Sequence, residues 1–281
     1  MQNKICFGTS WKCLLLVGDC LEQLDGIPAG CVGLTISDPP YESLDRQRAT
    51  GTTTRLKESK ASSNPWFASF PNTGYFALFE ELHRVQALNT HCYVFCDSET
   101  EHVILSGRNP YCEKLDRSLG NYGAQHYAGA PRAPKGPWTA WPTLTWLKSK
   151  CDDADPEELE DGNISTGMGY HWRRTGERIL FLEKGKRLLK NRSWKDTLVG
   201  PRSGRKDFPT RKPQSVLRKL IENSCPEGSI VLDPFAGSGA VAEAALALGR
   251  RCILIEKYPS QWLKETLNGL TDVEVQGEFA A

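Results

Sequence analysis

Short apolar runs that each close on an acid recur along the chain. Cys13-Leu14-Leu15-Leu16-Val17 leads into Gly18-Asp19, Val32-Gly33-Leu34-Thr35-Ile36 into Ser37-Asp38, and His91-Cys92-Tyr93-Val94-Phe95-Cys96 into Asp97. Their length and their β-branched or aromatic content predict strands. Between them Tyr75, Leu78, Phe79, Leu82 and Val85 repeat at helical spacing and define one apolar face. Thr143-Leu144-Thr145-Trp146-Leu147 and Arg178-Ile179-Leu180-Phe181-Leu182 predict two further strands. Val216, Leu217, Leu220 and Ile221 share one face of a helix after Pro213. Ile230-Val231-Leu232 and Cys252-Ile253-Leu254-Ile255, the latter closing on Glu256, bring the predicted strands to seven.

Alternation of this kind predicts an α/β fold in which a mostly parallel sheet carries helices on both faces. In such sheets ligands bind outside the carboxyl ends of the strands, so the terminal acids are expected to converge on one edge. Polar insertions at about 42–73, 98–140 and 149–176 come after strand ends and are expected to overhang that edge. The 107–140 part of the second matches no pattern, and residues 1–281 are read as one domain without internal repeats.

With 39% apolar and 25% charged residues the composition is that of an ordinary globular protein. Near the start the longest uncharged apolar run, Cys13 to Val17, is too short for a bilayer span or a signal-peptide core. A protein of the cytoplasm, with no membrane partner, is expected. Ten cysteines without an even framework fit reduced thiols. Cys92 and Cys96, beside His91, lie in an apolar strand and are assigned to the core, so no metal site is predicted.

Net charge of +1 gives no global attraction to a polyanion, but charge is unevenly spread. Between Arg173 and Arg218, fifteen Lys or Arg face four acids, a surplus of eleven. Lys184, Lys186, Arg187, Lys190, Arg192, Arg205 and Lys206 within that stretch are candidate contacts to nucleic-acid phosphates, with 184–211 as the recognition segment. The acidic run Asp152 to Asp161 just upstream reads as a solvated loop.

Two stretches carry chemistry. In Leu232-Asp233-Pro234-Phe235-Ala236-Gly237-Ser238-Gly239 the glycines allow a tight turn from a strand into the Ala-rich helix that begins at Ala240. Such a turn brings backbone N–H groups and a helix N-terminus close to a ligand, and Asp233 can accept hydrogen bonds from a cationic amine. Glu256 stands about 20 residues on, where a Rossmann-like site holds ribose hydroxyls. A glycine-rich turn can serve packing alone, and Asp-Pro-Pro-Tyr can be a surface turn. The second stretch, Ser37-Asp38-Pro39-Pro40-Tyr41, makes the bland readings inadequate, because it also comes directly after an apolar strand.

Together these residues resemble the S-adenosylmethionine-dependent DNA amino-methyltransferases. Ser-Asp-Pro-Pro-Tyr at 37–41 is similar to the family's catalytic motif, and Asp-Pro-Phe-Ala-Gly-Ser-Gly at 233–239 to its cofactor loop. Catalytic motif first and cofactor loop last is the order of the family's β group, a circular permutation of the seven-stranded Rossmann-like methyltransferase fold. Val17-Gly18-Asp19-Cys20, Trp146-Leu147-Lys148, Arg174 to Leu180 and Arg211-Lys212-Pro213 add similarity, so that the resemblance spans about 13 to 258. Ala240 stands where the family usually has Thr.

The resemblance implies S-adenosyl-L-methionine as cofactor and double-stranded DNA as partner. It assigns Asp38, Pro39, Pro40 and Tyr41 to catalysis on a flipped base. Asp233, Phe235, Gly237, Ser238 and Gly239 are assigned to the methionine end of the cofactor, Glu256 to its ribose, and Asp19 with Cys20 to its adenine. Asp38 lies where both ligands meet. Lys212 and Pro213 are candidates for shaping the methionine pocket, and Tyr170, His171 and Trp172 for touching the flipped base. A bacterial, archaeal or phage-infected cell and a cognate restriction endonuclease are further implications, with monomer and homodimer both open.

The residue types suit that chemistry. An exocyclic base amine is a poor nucleophile because its lone pair is delocalised into the ring. Acceptors on its N–H bonds, here Asp38 and the Pro39 carbonyl, favour a lone pair aimed at the methyl group. In the family it resembles, Asp in this motif goes more often with adenine, so the resemblance implies adenine N6 as the target, with cytosine N4 as the alternative. Methylation of RNA or of protein glutamine, and a non-catalytic DNA-binding module that retains the fold, are the further alternatives.

Overall fold

The computed structural model describes residues 11–42, 69–105, 138–166, 174–202, 208 and 210–277. Among these residues nine strands form one sheet: β1 (Cys13–Val17), β2 (Val32–Ser37), β3 (Gln86–Cys96), β4 (Thr139–Ser149), β5 (Gly176–Lys184), β6 (Thr197–Pro201), β7 (Ile230–Asp233), β8 (Arg251–Glu256) and β9 (Val273–Gln276). Six α-helices of the described residues accompany them: α1 (Cys20–Asp25), α2 (Tyr75–Val85), α3 (Ser98–Leu105), α4 (Gln214–Ser224), α5 (Ala240–Ala247) and α6 (Gln261–Asn268).

The order across the sheet is β6-β4-β5-β3-β2-β7-β8-β1-β9. Of these strands only β5 runs against its neighbours; the other pairings are parallel. The expected seven strands are therefore corrected to nine. One of the added strands, β6, lies inside the basic segment 184–211, and the other, β9, is a four-residue edge strand beyond the span of the motifs. Strand β3 also begins five residues before the predicted run, because buried Gln86 donates to Thr90 Oγ1 and the His91 carbonyl and so replaces the missing apolar signal.

Period-two alternation explains why both faces of the sheet are covered. Along β1, Leu14 and Leu16 belong to one core and Cys13 and Leu15 to the other. The first core packs β1 to β3 against Tyr75, Leu78, Phe79, Leu82 and Val85 of α2, the face predicted from spacing. The second packs the opposite face against α4 and the buried alanines of α5, with Leu263 and Leu267 of α6. Among the described residues no helix is long and apolar enough to cross a membrane.

Chain direction creates the crevice. After β2 the chain lays β3 beside it, places β4 two positions out, fills the gap with β5, ends at the edge with β6, and then returns through α4 to lay β7 beside β2, with Leu34 opposite Val231 and Thr35 opposite Leu232. Sheet order thus switches between β2 and β7, and a crevice opens at their carboxyl ends. Asp38 and Asp233 stand at its two sides.

Candidate active site

A cleft of about 530 Å³ lies at this switch point. Of the five strand-terminal acids, Asp19, Asp38, Asp233 and Glu256 line it. Asp97 does not: its Oδ1 accepts from the Thr100 N–H at 2.7 Å and caps α3.

The wall after β2 is short and stiff. Pro39 and Pro40 remove two N–H donors and fix the backbone. The Pro40 carbonyl accepts from the Phe70 N–H at 2.7 Å, and Tyr41 pairs with Phe70 in an isolated parallel bridge. Phe70 in turn meets the edges of Phe235 and Tyr75, with ring centroids 5.2 and 5.1 Å away. Tyr41 donates its hydroxyl to Asp38 Oδ1 at 3.0 Å. Burial, reinforced by the Asp38 and Glu177 charges, pushes the Tyr41 phenol well above its usual range, so it stays a donor.

Opposite stands the glycine loop. Asp233 Oδ1 accepts from the Phe235 N–H at 3.0 Å, the Ala236 N–H reaches the Ile255 carbonyl at 2.9 Å, and the Gly237 N–H reaches Glu256 Oε2 at 2.8 Å. Left-handed backbone at Gly237 (φ +53°) and Gly239 (φ +78°) lets the strand turn into α5 within these few residues. Burial, with weaker repulsion from Asp38 and Glu256, raises the Asp233 carboxyl to about 8 although the Phe235 N–H pulls the other way. Glu256 is also pushed up by burial against three backbone donors.

At the far end Asp19 caps α1 through the Leu21 N–H at 3.1 Å and meets Lys257 Nζ at 3.2 Å. Cys20 is buried behind it, and desolvation drives its thiol to about 12, which keeps it neutral. The structure thus brings Asp38, Pro39, Pro40, Tyr41, Asp19, Cys20, Asp233, Phe235, Gly237, Ser238 and Glu256 to one cleft. Gly239 stands just behind the lining at the start of α5.

Among the described residues, the candidate phosphate contacts Lys184, Lys186, Arg187, Lys190 and Arg192 are not brought there. Strand β5 is antiparallel to β3, with Arg178 opposite Cys96 and Lys184 opposite Thr90, so it leads away from the cleft. Lys184 ends at the amino edge of the parallel strands, where its ammonium is held by the His83 and Gln86 carbonyls at 2.6 Å each. The Lys186 N–H binds Asn89, the Arg187 N–H binds Glu183, and Lys190 pairs with Glu222 near the carboxyl end of α4. Arg192 lies beside Asn223 on this same edge. Arg205, Lys206, Tyr170, His171 and Trp172 lie outside the described residues.

Pattern reading missed an aromatic and ionic layer at the base of the cleft. Phe95, Trp146, Lys148, Glu177, Arg202, Phe208 and Arg211 all line it. Lys212 Nζ bridges Asp38 at 2.6 Å and Glu177 at 2.8 Å, and Lys148 meets the other oxygen of Glu177 at 2.8 Å. The motif segments Trp146-Leu147-Lys148, Glu177 and Lys212 carried a signal, but nothing local said that they would meet.

A family model described as DNA methylase, for N6 and N4 methylation, matches residues 32–262. The chain belongs to the N6/N4 DNA methylase family. It is a DNA methyltransferase by that membership, and its curated relatives agree. It is 40% identical to the DNA adenine methyltransferase YhdJ of Escherichia coli (strain K12) across 98% of this chain and 87% of that protein. A shorter stretch of 80 residues, 27% of the chain, is 47% identical to YubD of the same organism and spans only 35% of that protein. Among solved structures, the M1.HpyAVI–SAM complex aligns over 92% of this chain and 98% of its own, with a TM-score of 0.53 at 16% identity. The cytosine-N4-specific PvuII DNA methyltransferase aligns over 95% and 91%, with a TM-score of 0.56 at 12% identity. At these identities the two structures speak to the fold alone.

Proposed function

We propose that the protein methylates the exocyclic amine of a base extruded from double-stranded DNA, adenine N6 in the first instance, with S-adenosyl-L-methionine as methyl donor. The observation that carries this reading is the meeting of Asp38 and Asp233, from adjacent strands, in one cleft.

The cleft suits that cofactor on its own chemistry. Buried Asp233, with a pKa of about 8, is an acid that an ammonium group would stabilise as the carboxylate. Glu256 presents a second carboxylate one strand away, suited to ribose hydroxyls, and Asp19 with Cys20 close the adenine end. Phe235 and the Gly237 backbone border the methionine portion. When bound, the cofactor supplies an electrophilic methyl group on a cationic sulfur.

On the other side Tyr41 offers a face on which an extruded base stacks. Asp38 and the Pro39 carbonyl accept the two N–H bonds of the target amine and turn its lone pair toward the methyl group. The amine would take the methyl group as its bond to the cationic sulfur breaks and leaves a neutral thioether, and the nitrogen, cationic beside the Asp38 carboxylate, would then give up one proton to water.

Adenine is favoured by Asp at position 38 and by the name of the 40% identical relative. Cytosine N4 is the second reading, because its amine also lies beside a ring nitrogen and the same acceptors would serve it. Nucleoside mass spectrometry of DNA from cells that express the protein decides between them. N6-methyladenine is expected, and it is expected to vanish in Asp38→Ala while cofactor affinity stays within about tenfold, roughly 1.4 kcal/mol. N4-methylcytosine without N6-methyladenine would overturn the adenine assignment.

A further inference from the structure

Lys212 immediately precedes Pro213, the residue that opens α4, and its ammonium enters a low-polarity slot. The Phe95 and Trp146 ring centroids lie 5.0 and 5.9 Å away. A desolvated ammonium is costly unless it is paired, and here it meets carboxylates on two sides, Asp38 Oδ2 at 2.6 Å and Glu177 Oε1 at 2.8 Å. Lys148 closes the row on Glu177 Oε2 at 2.8 Å. Four charges of alternating sign, from the end of β2, the segment before α4, β5 and β4, thus form one chain at the base of the cleft.

The methyl transfer proposed above needs Asp38 as an acceptor. A protonated Asp38 would place its own hydrogen where the amine's hydrogen belongs. Resting on that reading, we propose that Lys212 is a positioning residue that holds Asp38 ionised and turned toward the target amine, and that Glu177, clamped by Lys148, holds Lys212 in place.

The groups that face Asp38 fix the sign. Burial pushes its carboxyl above the usual range, Lys212 pulls it down, Glu177 pushes it up, and the Tyr41 hydroxyl pulls it down. The Asp38 charge in turn helps to raise Asp233 on β7 across the crevice, and Cys96 at the end of β3 stands near Tyr41. Glu177 itself would be raised by burial, but Lys212 and Lys148 reverse that and bring it to about 2. Asp38 and Glu177 likewise overcome the burial of Lys212 and raise it above an ordinary lysine. Without Lys212, burial and the Glu177 charge would both drive Asp38 toward the protonated form. With Gln at position 177 the amide oxygen would still accept from Lys212 and hold it in place, so Asp38 would keep Lys212 and lose only the repulsion of the Glu177 charge.

The test titrates the Asp38 carboxyl carbon by NMR in the full-length, aspartate-labelled protein, with the signal assigned through Asp38→Asn, between about pH 5 and pH 10. Single-turnover methyl transfer to DNA is measured in parallel. In Lys212→Met, which keeps an apolar stem between the rings, the Asp38 midpoint is expected to rise by at least about one pH unit. The acid limb of the transfer rate should move with it, so that the rate below the limb falls about tenfold per unit and recovers in alkali. Glu177→Gln should move the midpoint the opposite way. A uniformly lower rate with an unmoved midpoint in Lys212→Met would overturn the proposal, as would shifts of the same direction in both variants. If Lys212→Met does not fold, Glu177→Gln still decides, since a raised or unmoved midpoint there contradicts the proposed order of charges. The NMR arm does not depend on activity: the expected titrations in a parent protein that methylates no DNA would sink the amine-methylation reading and leave the coupling of Lys212 to Asp38 standing.

Discussion

The Gly237 N–H donates to Glu256 Oε2 at 2.8 Å, so the acid that ends β8 also shapes the glycine loop that leaves β7. Its other oxygen accepts from the Tyr258 N–H at 3.1 Å. Two turns of the cleft wall therefore hang on one carboxylate, through hydrogen bonds of the charge-assisted kind. Glu256→Ala is expected to weaken cofactor binding at least about tenfold, or about 1.4 kcal/mol. It should also lower the melting temperature, because two N–H groups lose their acceptor. Calorimetry and thermal unfolding measure the two effects, and unchanged affinity would remove Glu256 from the cofactor's surroundings.

The two glycines of the loop are expected to fail differently when substituted. At Gly239, with φ +78°, an added Cβ would stand 2.9 Å from Leu263 Cδ1 and 3.1 Å from Thr266 Cγ2, against α6. Gly239→Ala should thus cost stability, about 1–3 kcal/mol from the left-handed backbone and more from the overlap. At Gly237 the nearest atoms to an added Cβ belong to the Phe208 ring at 3.7 Å, so the fold has room and only φ +53° resists. Gly237→Ala should destabilise by about 1 kcal/mol yet lose more than about tenfold in cofactor affinity, and Gly237→Val should abolish binding. Equal losses of stability and of affinity in both alanine variants would show that the loop serves packing alone.

Asp233 gives cofactor binding a pH dependence with a definite sign. Its folded-state pKa of about 8 lies above an unfolded value of about 3.9. In the empty protein its ionisation therefore costs stability progressively as pH rises from about 4 to 8. A bound ammonium favours the carboxylate, so binding releases a proton from this site below pH 8. Affinity should rise with pH between about 6 and 7.5, by up to about tenfold per unit. Calorimetry in buffers of different ionisation enthalpy reads the released proton, and Asp233→Asn should show neither the release nor the slope. A flat profile in the parent protein would mean that Asp233 is already ionised before the cofactor arrives.

Legibility in the sequence tracks how local each feature is. Asp38 and Asp233 sit at the ends of apolar strands, and their neighbours Pro39, Pro40, Gly237 and Gly239 announce tight turns, so strand and turn could be read from contiguous residues. That both acids share one crevice came from strand alternation and the rule for parallel sheets. The row Asp38, Lys212, Glu177, Lys148 is different, because its members come from four elements and only the return of the chain from β6 through α4 brings Lys212 to Asp38. Charge counting is blind to placement for the same reason. Lys184 and Lys190 contribute to the basic surplus, yet β5 runs against its neighbours and delivers both to the edge opposite the cleft. Strands β6 and β9 were missed because five and four residues at the borders of a sheet carry little periodicity.

On the proposed function, sheet polarity also predicts which charges touch DNA. A base that enters the cleft must come from a duplex lying over the carboxyl ends of the strands, because Tyr41 and Asp38 open only there. Lys186, Lys190 and Arg192 lie at the amino ends, on the far side of the sheet, and Lys190 is already paired with Glu222. Arg202, which leaves β6 at its carboxyl end, lines the cleft itself. Each phosphate contact contributes about −0.9 to the slope of log K against log salt concentration. Neutralising Lys186, Lys190 and Arg192 together should therefore leave that slope unchanged, whereas Arg202→Ala should flatten it by about 0.9. Fluorescence anisotropy with a labelled duplex over a salt series measures both. A slope flattened by two or more in the triple variant would mean that DNA also reaches the amino edge of the sheet, and the basic surplus between Arg173 and Arg218 would then be a binding surface in full.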